Sequence, residues 1–373
     1  MRVLMTGGGT AGHINPALAI AEIIKREHPD AEFLFVGAKG RMETRLVPAA
    51  GYPIRTVNVR GFQRRLSLKN IGRNVLAAID VVTASLASAR LVKEFAPDIA
   101  IGTGGYVCGP VLREALKQGV PVLVHESNAF PGVTVKMLAK EGATVLLCSE
   151  DARRHLPAGS EAVVTGNPLR PDFFTLDKQA ARQELGLDER PLVLSFGGSL
   201  GAAHINEAMA TVLARSVKEG ALQHIHGTGR VGYAAMQDSL REKGMDADLP
   251  GIAVREYIDD MPRCMAAADL VISRCGAMTL SELPAAGKPA ILIPSPYVAE
   301  NHQYHNAMVL VERDAAVCIE EKDLTGERLW ETICAITADA TRLQKMSENM
   351  RQAAILDADA RIYRVIAEKL KLQ

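Results

Sequence analysis

The sequence has few aromatic residues, no net charge, no C-x-x-C motif and no long apolar run. Phe, Trp and Tyr make up 4% of its 373 residues, so aliphatic side chains must build the core. Because 43 basic and 43 acidic residues balance, no overall field favours nucleic acid. The six scattered cysteines argue against zinc and disulfide frameworks and for a reducing compartment. No apolar run reaches the roughly 20 residues of a membrane span, and we expect no signal peptide.

What the sequence does contain is a regular alternation of short β-like runs and helical patterns. Such alternation is typical of a parallel sheet covered by helices on both faces. A segment rich in turn formers at 166–171 interrupts the pattern, which restarts at residue 191. We therefore expect an α/β fold with two Rossmann-like, doubly wound domains facing a cleft, at residues 1–166 and 167–349. A last predicted helix over 343–372 would carry residues 350–373 back to the first domain.

Thirteen short runs are predicted to be strands. In the first half these are residues 3–5, 33–36, 54–57, 99–101, 122–124, 144–147 and 162–164. In the second half they are residues 191–196, 222–226, 252–254, 270–273, 290–293 and 316–319. Ligands of doubly wound sheets bind beyond the carboxyl ends of the strands, so the segments that follow these runs are the candidate sites.

The segment Met5–Pro16 joins the first predicted strand to the first predicted helix through three consecutive glycines. A glycine-rich turn before a helix lets the backbone approach a phosphate or another anion and points N–H groups at it. The spacing matches neither G-x-G-x-x-G nor G-x-x-x-x-G-K-[ST]. His13 stands at the mouth of the turn, and a histidine there favours acid–base chemistry over simple cofactor binding. The alternative is a tight turn between strand and helix without a ligand.

The second half opens as the first does, with a strand, a glycine turn and a helix over residues 191–213. Further along, residues 273–282 lead from a strand into a helix whose first N–H groups form another anion site. Glu282 lies about one turn into this helix, where its carboxylate can accept two hydroxyl groups. The alternative is that Thr279 and Glu282 only cap the helix and compensate its dipole.

Further polar side chains stand at the start of a predicted helix in residues 294–307. Amides such as Gln303 and Asn306 suit sugar hydroxyls because each donates and accepts, and the alternative is an ordinary polar helix start. In the first half, His125 and Glu126 end a strand and could support a general base or bind hydroxyls. A structural pair with satisfied hydrogen bonds is equally compatible with these two residues.

Several catalytic motifs are missing. Aspartates spaced D-x-D occur only at 246/248 and 357/359, and neither pair ends a predicted strand. We therefore expect no metal site that bridges a diphosphate. Charge on a leaving phosphate must then be stabilised by helix N-termini and hydrogen-bond donors. The G-x-S-x-G nucleophile motif and the Walker lysine are also absent.

Residues 59–76 are rich in arginine and lysine, contain no acidic residue and interleave apolar side chains. Basic residues around exposed apolar ones suit an anionic membrane surface. The alternative is a loop followed by an ordinary amphipathic helix. The side chains predicted to contact the membrane are Phe62, Arg64, Arg65, Leu66, Leu68, Lys69, Ile71, Arg73 and Val75.

Eight segments, in order along nearly the whole chain, closely resemble the MurG family of bacterial peptidoglycan GlcNAc transferases. They are GGGTAGHINPALAIA, GTGGYVCGPV, HESNAFPG, GNPLR, GGSLGA, YIDDM, SRCGAMTLSEL and ENHQYHNA. The resemblance implies a B-type glycosyltransferase that moves GlcNAc from UDP-GlcNAc, with inversion, to the MurNAc C4 hydroxyl of lipid I (undecaprenyl-pyrophosphoryl-MurNAc-pentapeptide). The products are lipid II and UDP, and neither a cofactor nor an essential metal is implied. It also implies a peripheral location on the cytoplasmic face of the bacterial membrane and other cell-wall synthesis proteins as candidate partners.

The resemblance further implies roles for individual residues. His13 is the first candidate for the general base and Glu126 the second, since inversion needs one base and direct attack. Ser199 is expected at the diphosphate, the backbone of Ile258 at uracil and Glu282 at the ribose. The full set implied to bind the donor is Thr10, Ala11, Gly12, Asn128, Arg170, Ser199, Ile258, Ala277, Met278, Thr279, Glu282, Gln303 and Asn306.

Three positions depart from the pattern of some family members. Ala11 replaces a glycine and permits the turn only with a negative φ. Leu200 and His302 each replace a glutamine, and neither is assigned a role. The same architecture serves a UDP-GlcNAc 2-epimerase, a diacylglycerol glycosyltransferase and, in a different class, a non-catalytic UDP-sugar sensor. The GGGTAGHINP and HESN segments favour the MurNAc-lipid acceptor, and His13 beside intact donor residues favours an enzyme.

Overall fold

The structure is a computed structural model that describes residues 1–59, 83–198, 200–245 and 251–372. It divides into two compact units, of which the first comprises Met1–Pro168 and Asp357–Gln373 and the second Leu169–Leu356. The first unit is therefore built from both ends of the chain. Among the described residues, no helix combines the length and the apolar character that crossing a membrane requires.

A seven-stranded parallel sheet forms the centre of the first unit, in the order β3-β2-β1-β4-β5-β6-β7. Val3 and Met5 of the first strand pack toward one helical layer and Leu4 toward the other, because helices cover both faces of the sheet. The strand order changes direction between β1 and β4, which is where such sheets bind ligands. The strands are β1 Arg2–Thr6, β2 Glu32–Ala38, β3 Ile54–Val57, β4 Ile99–Gly102, β5 Val122–Glu126, β6 Thr144–Leu147 and β7 Ala162–Val164.

The second unit repeats this design with a six-stranded parallel sheet in the order β10-β9-β8-β11-β12-β13. Leu194 packs on one face of the sheet and Val193 on the other. Here the strand order changes direction between β8 and β11. The strands are β8 Leu192–Phe196, β9 Gln223–Gly227, β10 Ile252–Arg255, β11 Leu270–Ser273, β12 Ala290–Leu292 and β13 Ala316–Cys318.

The helices cover the two sheets with amphipathic faces. Ile14, Ile20 and Ile24 of the first helix, for example, are buried at spacings that put them on one stripe. In chain order the helices are α1 Ala11–Glu27, α2 Glu43–Ala49, α3 (83–95), α4 Cys108–Lys117, α5 Val133–Lys140, α6 Asp172–Thr175, α7 Lys178–Glu184, α8 Ala203–Glu219, α9 Tyr233–Glu242, α10 Met261–Ala267, α11 Thr279–Ala286, α12 His302–Val311, α13 Gly326–Thr337, α14 Ala340–Gln352 and α15 Ala358–Leu370. The units place α1–α5 and α15 in the first and α6–α14 in the second.

The predicted strands are present, and each end lies within about two residues of the prediction. The single helix predicted over 343–372 is wrong, because the chain forms α14 and α15 with a break between them. Met350 of α14 is buried in the core of the second unit, whereas Ile366 of α15 is buried in the first. The returning segment therefore begins at Asp357, not at 350, and no glycine or proline in residues 353–356 marks the break.

Candidate functional site

The loops that follow β1, β4 and β5 lie side by side at the carboxyl edge of the first sheet, because β4 pairs with both other strands. These loops hold the first glycine turn, residues 103–107 and residues 127–132. Helix α1 begins at Ala11, five residues before the predicted start at Pro16, so His13 lies in its first turn. The candidate site of the first unit thus sits where the strand order changes direction.

The first glycine turn and the loop after β4 approach each other too closely for side chains. A Cβ atom on Gly105 would lie 2.3 Å from the carbonyl oxygen of Gly8, and φ of Gly105 is +86°, a conformation that favours glycine. Gly104 leaves room for an imidazole in the same way, since its Cβ would lie 2.6 Å from Nδ1 of His13. The two loops therefore fix each other and fix His13 with them.

His13 exchanges two hydrogen bonds with one residue, Thr103. Nδ1 of His13 lies 3.0 Å from the carbonyl oxygen of Thr103, and the Thr103 hydroxyl donates to the carbonyl oxygen of His13 at 2.6 Å. Since a carbonyl oxygen only accepts, Nδ1 carries a proton, and in the neutral form of the ring the lone pair is on Nε2. The sequence analysis placed the segment that contains Thr103 at the end of a strand but gave Thr103 itself no role, because that role depends on the pairing of β4 with β1.

Glu126 ends β5, and its carboxylate is engaged in three hydrogen bonds. Oε1 accepts from the backbone N–H and the side-chain amide of Asn128 at 2.9 and 3.0 Å, and Oε2 accepts from the N–H of Gly132 at 2.9 Å. The residue is only 5% exposed. This geometry closes the loop of residues 127–132 and orients Asn128. Glu126 therefore has a structural role, and the assignment of the base to His13 or to Glu126 stays a prediction.

His125, beside Glu126, is a buried structural histidine. Its Nε2 donates to the carbonyl oxygen of Gly166 at 3.1 Å, and its Nδ1 lies 3.3 Å from the hydroxyl oxygen of Ser127. Burial lowers the pKa of His125 to about 4, against the opposing effect of the hydrogen bond to Gly166, so the ring is neutral at pH 7. For His125 the sequence left open a role at the site, as a general base or in binding hydroxyls, and a structural role. The structure favours the structural role.

In the second unit, Arg274 ties down the loop that leads from β11 to α11. Its guanidinium donates to the carbonyl oxygens of Ile293 and Pro294, each at 3.2 Å. It also forms a buried ion pair with Glu321. The loop after β11 is thereby joined to the loop after β12, and both lie at the carboxyl edge of the sheet.

Glu282 lies in the first turn of α11, which begins at Thr279 without a side-chain cap. The N–H groups of Leu280, Ser281 and Glu282 are donated to the carbonyl oxygens of Gly276 and Met278, so an anion can meet this helix start only at or before Thr279. Burial raises the pKa of Glu282 to about 7, and the nearby charge of Arg170 opposes that rise. The structure therefore brings the predicted ribose ligand and Arg170 together, and the charge of Glu282 changes near neutral pH.

The two amides of α12 differ in what they already bind. Oε1 of Gln303 accepts from the N–H of Ser295 at 2.9 Å, so its NH₂ group is the part left for a sugar oxygen. Asn306 is 3% exposed, and its amide donates to the carbonyl oxygen of Cys275 at 3.1 Å. Asn306 thus holds the loop after β11, and its predicted contact with the sugar stays a prediction.

Backbone strain precedes α12 and had no signal in the sequence. Glu300 and Asn301 adopt φ values of 54° and 52°. Such left-handed conformations cost non-glycine residues about 1–3 kcal/mol each and are found mostly where function requires them. The strain fixes the direction in which the chain enters the helix that carries Gln303.

The other predicted site residues have varied positions. The side chain of Ile258 is buried next to Gly227, so only its backbone can meet a ligand. Ala11 is not among the residues with positive φ, as the predicted turn requires. Thr10, Ala11 and Gly12 are exposed. Ser199 and the predicted membrane contacts, residues 62–75, lie outside the described residues.

Comparisons with known proteins agree with this architecture. The model of the glycosyltransferase family 28 N-terminal domain matches residues 3–147, and that of the glycosyltransferase family 28 C-terminal domain matches residues 192–362. The chain is similar to a protein of Acetivibrio thermocellus named UDP-N-acetylglucosamine–N-acetylmuramyl-(pentapeptide) pyrophosphoryl-undecaprenol N-acetylglucosamine transferase. The two are 44% identical over 373 residues, which cover 100% of this chain and 99% of the relative. A protein of the same name from Bacillus cytotoxicus is 40% identical over 372 residues and 100% of both chains.

Solved structures show the same fold. The crystal structure of MurG from Acinetobacter baumannii superposes with a TM-score of 0.80 at 27% identity and covers 98% of this chain and 99% of its own. A UDP-GlcNAc 2-epimerase from Neisseria meningitidis bound to UDP-GlcNAc superposes with a TM-score of 0.64 over all of both chains. At 14% identity, that second likeness shows the fold alone.

Two units with parallel sheets, each with a glycine turn where its strand order changes direction, define a B-type glycosyltransferase. Both halves match the same family of such enzymes, and the full-length relatives share one name. The chain belongs to the MurG family within glycosyltransferase family 28.

Proposed function

We propose that this chain transfers GlcNAc from UDP-GlcNAc to the MurNAc C4 hydroxyl of lipid I and so forms lipid II and UDP. The observation that carries the proposal is the 44% identity over the whole chain to a transferase named for this reaction. The geometry of His13 supports it, because the orientation of a neutral imidazole by Thr103 suits a base that takes a proton from a hydroxyl.

The proposed reaction is a direct displacement. The C4 hydroxyl oxygen attacks the anomeric carbon of GlcNAc, and its proton passes to Nε2 of His13. The bond between that carbon and the phosphate oxygen breaks, and its electron pair leaves with UDP. One attack on the opposite face inverts the α linkage of the donor to a β linkage, and a single base suffices. In this scheme Glu126 positions Asn128 and is not the base.

We assign binding of UDP, the nucleotide part of the donor, to the second unit. Glu282 accepts the ribose hydroxyls, Arg170 lies near the base and the NH₂ group of Gln303 donates to the sugar. The uncapped start of α11 at Thr279 stabilises the charge that develops on the leaving diphosphate. Because backbone N–H groups take this role, we propose that the transfer needs no metal ion and no cofactor.

We also propose that the protein binds the anionic cytoplasmic face of the membrane through residues 62–75. The support is the basic and apolar composition of this segment. Changing Arg64, Arg65 and Lys69 to Glu is expected to abolish most sedimentation with anionic vesicles and to leave transfer to a detergent-soluble acceptor intact. Binding of the wild-type protein is expected to weaken with added salt, because surface charges are screened. Undiminished sedimentation of the triple variant would contradict the proposal.

The function is tested by measuring transfer of radiolabelled GlcNAc from UDP-GlcNAc to a lipid I analogue. We expect transfer to the lipid I analogue, equal rates with and without EDTA, and no product on diacylglycerol offered as a competing acceptor. Product on diacylglycerol would reassign the acceptor. Epimerised UDP-sugar without transfer would support an epimerase, and binding without any turnover would support a sensor.

A further inference from the structure

A buried carboxylate lies behind the first glycine turn, and it comes from outside the glycine-rich motif. Glu43 is the first residue of α2 and is fully buried. Its Oε2 accepts from the N–H of Gly9 at 3.0 Å, and its Oε1 accepts from the N–H of Ala38 at 2.9 Å. Two oxygens that each accept a backbone N–H are the arrangement that an ionised carboxylate prefers.

Two glycines leave the room that the side chain of Glu43 occupies. A Cβ atom on Gly8 would lie 2.2 Å from Oε1 of Glu43, and one on Gly37 would lie 2.6 Å from its Cγ. Since real Cβ atoms do not come this close to such neighbours, neither position accepts a larger residue while Glu43 stays in place. The position of the carboxylate is therefore built into both β2 and the turn.

The carboxylate occupies the place where a glycine turn usually meets an anion. Sequence reasoning expects the N–H groups of such a turn to point at a phosphate. Here the N–H of Gly9 is already donated to Glu43, and a second negative group beside this carboxylate would be repelled. This N–H group of the turn is thus held by the protein itself and not by a ligand.

Contacts lead from this carboxylate to His13. Gly8 and Gly9 lie against Glu43, and Gly105 packs against the carbonyl oxygen of Gly8. Gly105 belongs to the loop of Thr103, which holds both the ring and the backbone of His13. Burial raises the pKa of Cys108 at the base of this loop to about 11, and the charge of Glu43 contributes to the rise.

We infer that Glu43 is a positioning residue for the transfer step, because it sets the first glycine turn and through it the imidazole of His13. The inference rests on the proposed function, because that function supplies the transfer step. The geometry of the turn supports the inference as a separate observation. Glu43 does not touch the reacting atoms. Its removal should therefore lower the rate of the chemical step and leave the binding of UDP, which we assign to the second unit, unchanged.

The test compares Glu43→Gln with Glu32→Gln, an exposed carboxylate of the same unit that pairs with Arg2 at 3.3 Å. Glutamine keeps the shape of the side chain but turns one acceptor into a donor that faces a backbone N–H. We expect kcat to fall roughly 10- to 100-fold, the cost of a reacting group misplaced by about 1 Å. The Kd for UDP, measured by calorimetry, should stay within about twofold, and Glu32→Gln should match the wild type.

A readout that does not depend on transfer is the Cε1–Hε1 resonance of His13 in the NMR spectrum, assigned by its loss in His13→Asn. This resonance should move in Glu43→Gln and stay in place in Glu32→Gln. An unchanged kcat would overturn the inference. A fall in kcat that only matches the loss of folded protein, with the His13 resonance in place, would also overturn it. If the wild-type chain transfers nothing, the proposed function fails, and the His13 resonance still decides the role of Glu43.

A second variant keeps the test decisive if Glu43→Gln folds poorly. Gly8→Ala retains the charge but forces its methyl group against the carboxylate, and the φ of Gly8 is negative, so the backbone accepts alanine. We expect Gly8→Ala to lower kcat. In the double variant Gly8→Ala with Glu43→Ser, the loss in kcat, expressed as a free energy, should be smaller than the sum of the losses in the two single variants. Strict additivity of the two losses would contradict the contact.

Discussion

Replacing His13 by alanine is expected to lower kcat for GlcNAc transfer by roughly 10²- to 10⁴-fold, the usual contribution of a positioned general base. The reason is geometric. The carbonyl oxygen of Thr103 fixes the proton on Nδ1, so Nε2 is the nitrogen that accepts the hydroxyl proton. The Kd for UDP should not change, since the residues assigned to UDP belong to the second unit. Steady-state kinetics with the lipid I analogue and calorimetry with UDP check the two expectations.

A matched control is His28→Gln, a histidine of the same unit whose Nε2 lies 2.9 Å from the hydroxyl oxygen of Tyr363 on α15. That variant should transfer GlcNAc at the wild-type rate. If His13→Ala keeps its rate, the imidazole is only structural and the base must be sought elsewhere, with Glu126 as the next candidate. Equal losses in kcat and in UDP affinity would instead point to a misfolded variant.

Glu282→Gln is expected to weaken binding of UDP-GlcNAc about 10- to 100-fold and at the same time to stabilise the free protein. A charged acceptor that binds hydroxyls contributes about 1.5–3 kcal/mol per hydrogen bond, which glutamine retains only in part. The pKa of Glu282 is raised from 4.5 to about 7. The protonated side chain therefore contributes its full stability below pH 4.5. The free energy of unfolding then falls as the pH rises from 4.5 through 7, because the buried carboxyl must ionise. At pH 8 the charge costs on the order of 3 kcal/mol, and glutamine removes that cost.

The same pKa sets the pH dependence of donor binding. The ionised carboxylate accepts both ribose hydroxyls, so affinity should fall as the pH is lowered from 8 to 6 in the wild type and stay nearly flat in Glu282→Gln. Calorimetry across this range and chemical denaturation at pH 8 measure the two effects. Glu184→Gln, which removes an exposed partner of Arg263, serves as the control and should change neither. A variant that binds the donor as tightly as the wild type would remove Glu282 from the donor site.

The strands of each unit were accessible to sequence reasoning because both sheets are buried on both faces. Short apolar runs bounded by turn formers then mark every strand, as at residues 144–147. The break between α14 and α15 was not accessible. The helical period continues into both helices, and only packing decides that Met350 belongs to one core and Ile366 to the other.

The candidate site was predictable where its residues lie in distinctive motifs and not where they act through the backbone. His13 and Glu282 follow glycines or stand at helix starts, and these positions have recognisable patterns. Glu43 and Thr103 are ordinary residues in the sequence, and their roles depend on pairing between β1 and its neighbours. The same holds for the loop-closing role of Glu126, which depends on three hydrogen-bond donors from Asn128 and Gly132.

The division of the first unit between the two ends of the chain has a consequence for synthesis on the ribosome. The buried side of α1, with Ile20 and Ile24, shares its core with Ile362 and Ile366 of the last helix. The second unit lies between the two parts of the first in the chain, and all its strands are contiguous in sequence. It can therefore complete its sheet while translation continues. The strands of the first unit are synthesised before those of the second, yet the first unit is completed only after α15 has been synthesised. A premature stop after Leu356 would leave an apolar surface on α1 for chaperones and proteases to recognise.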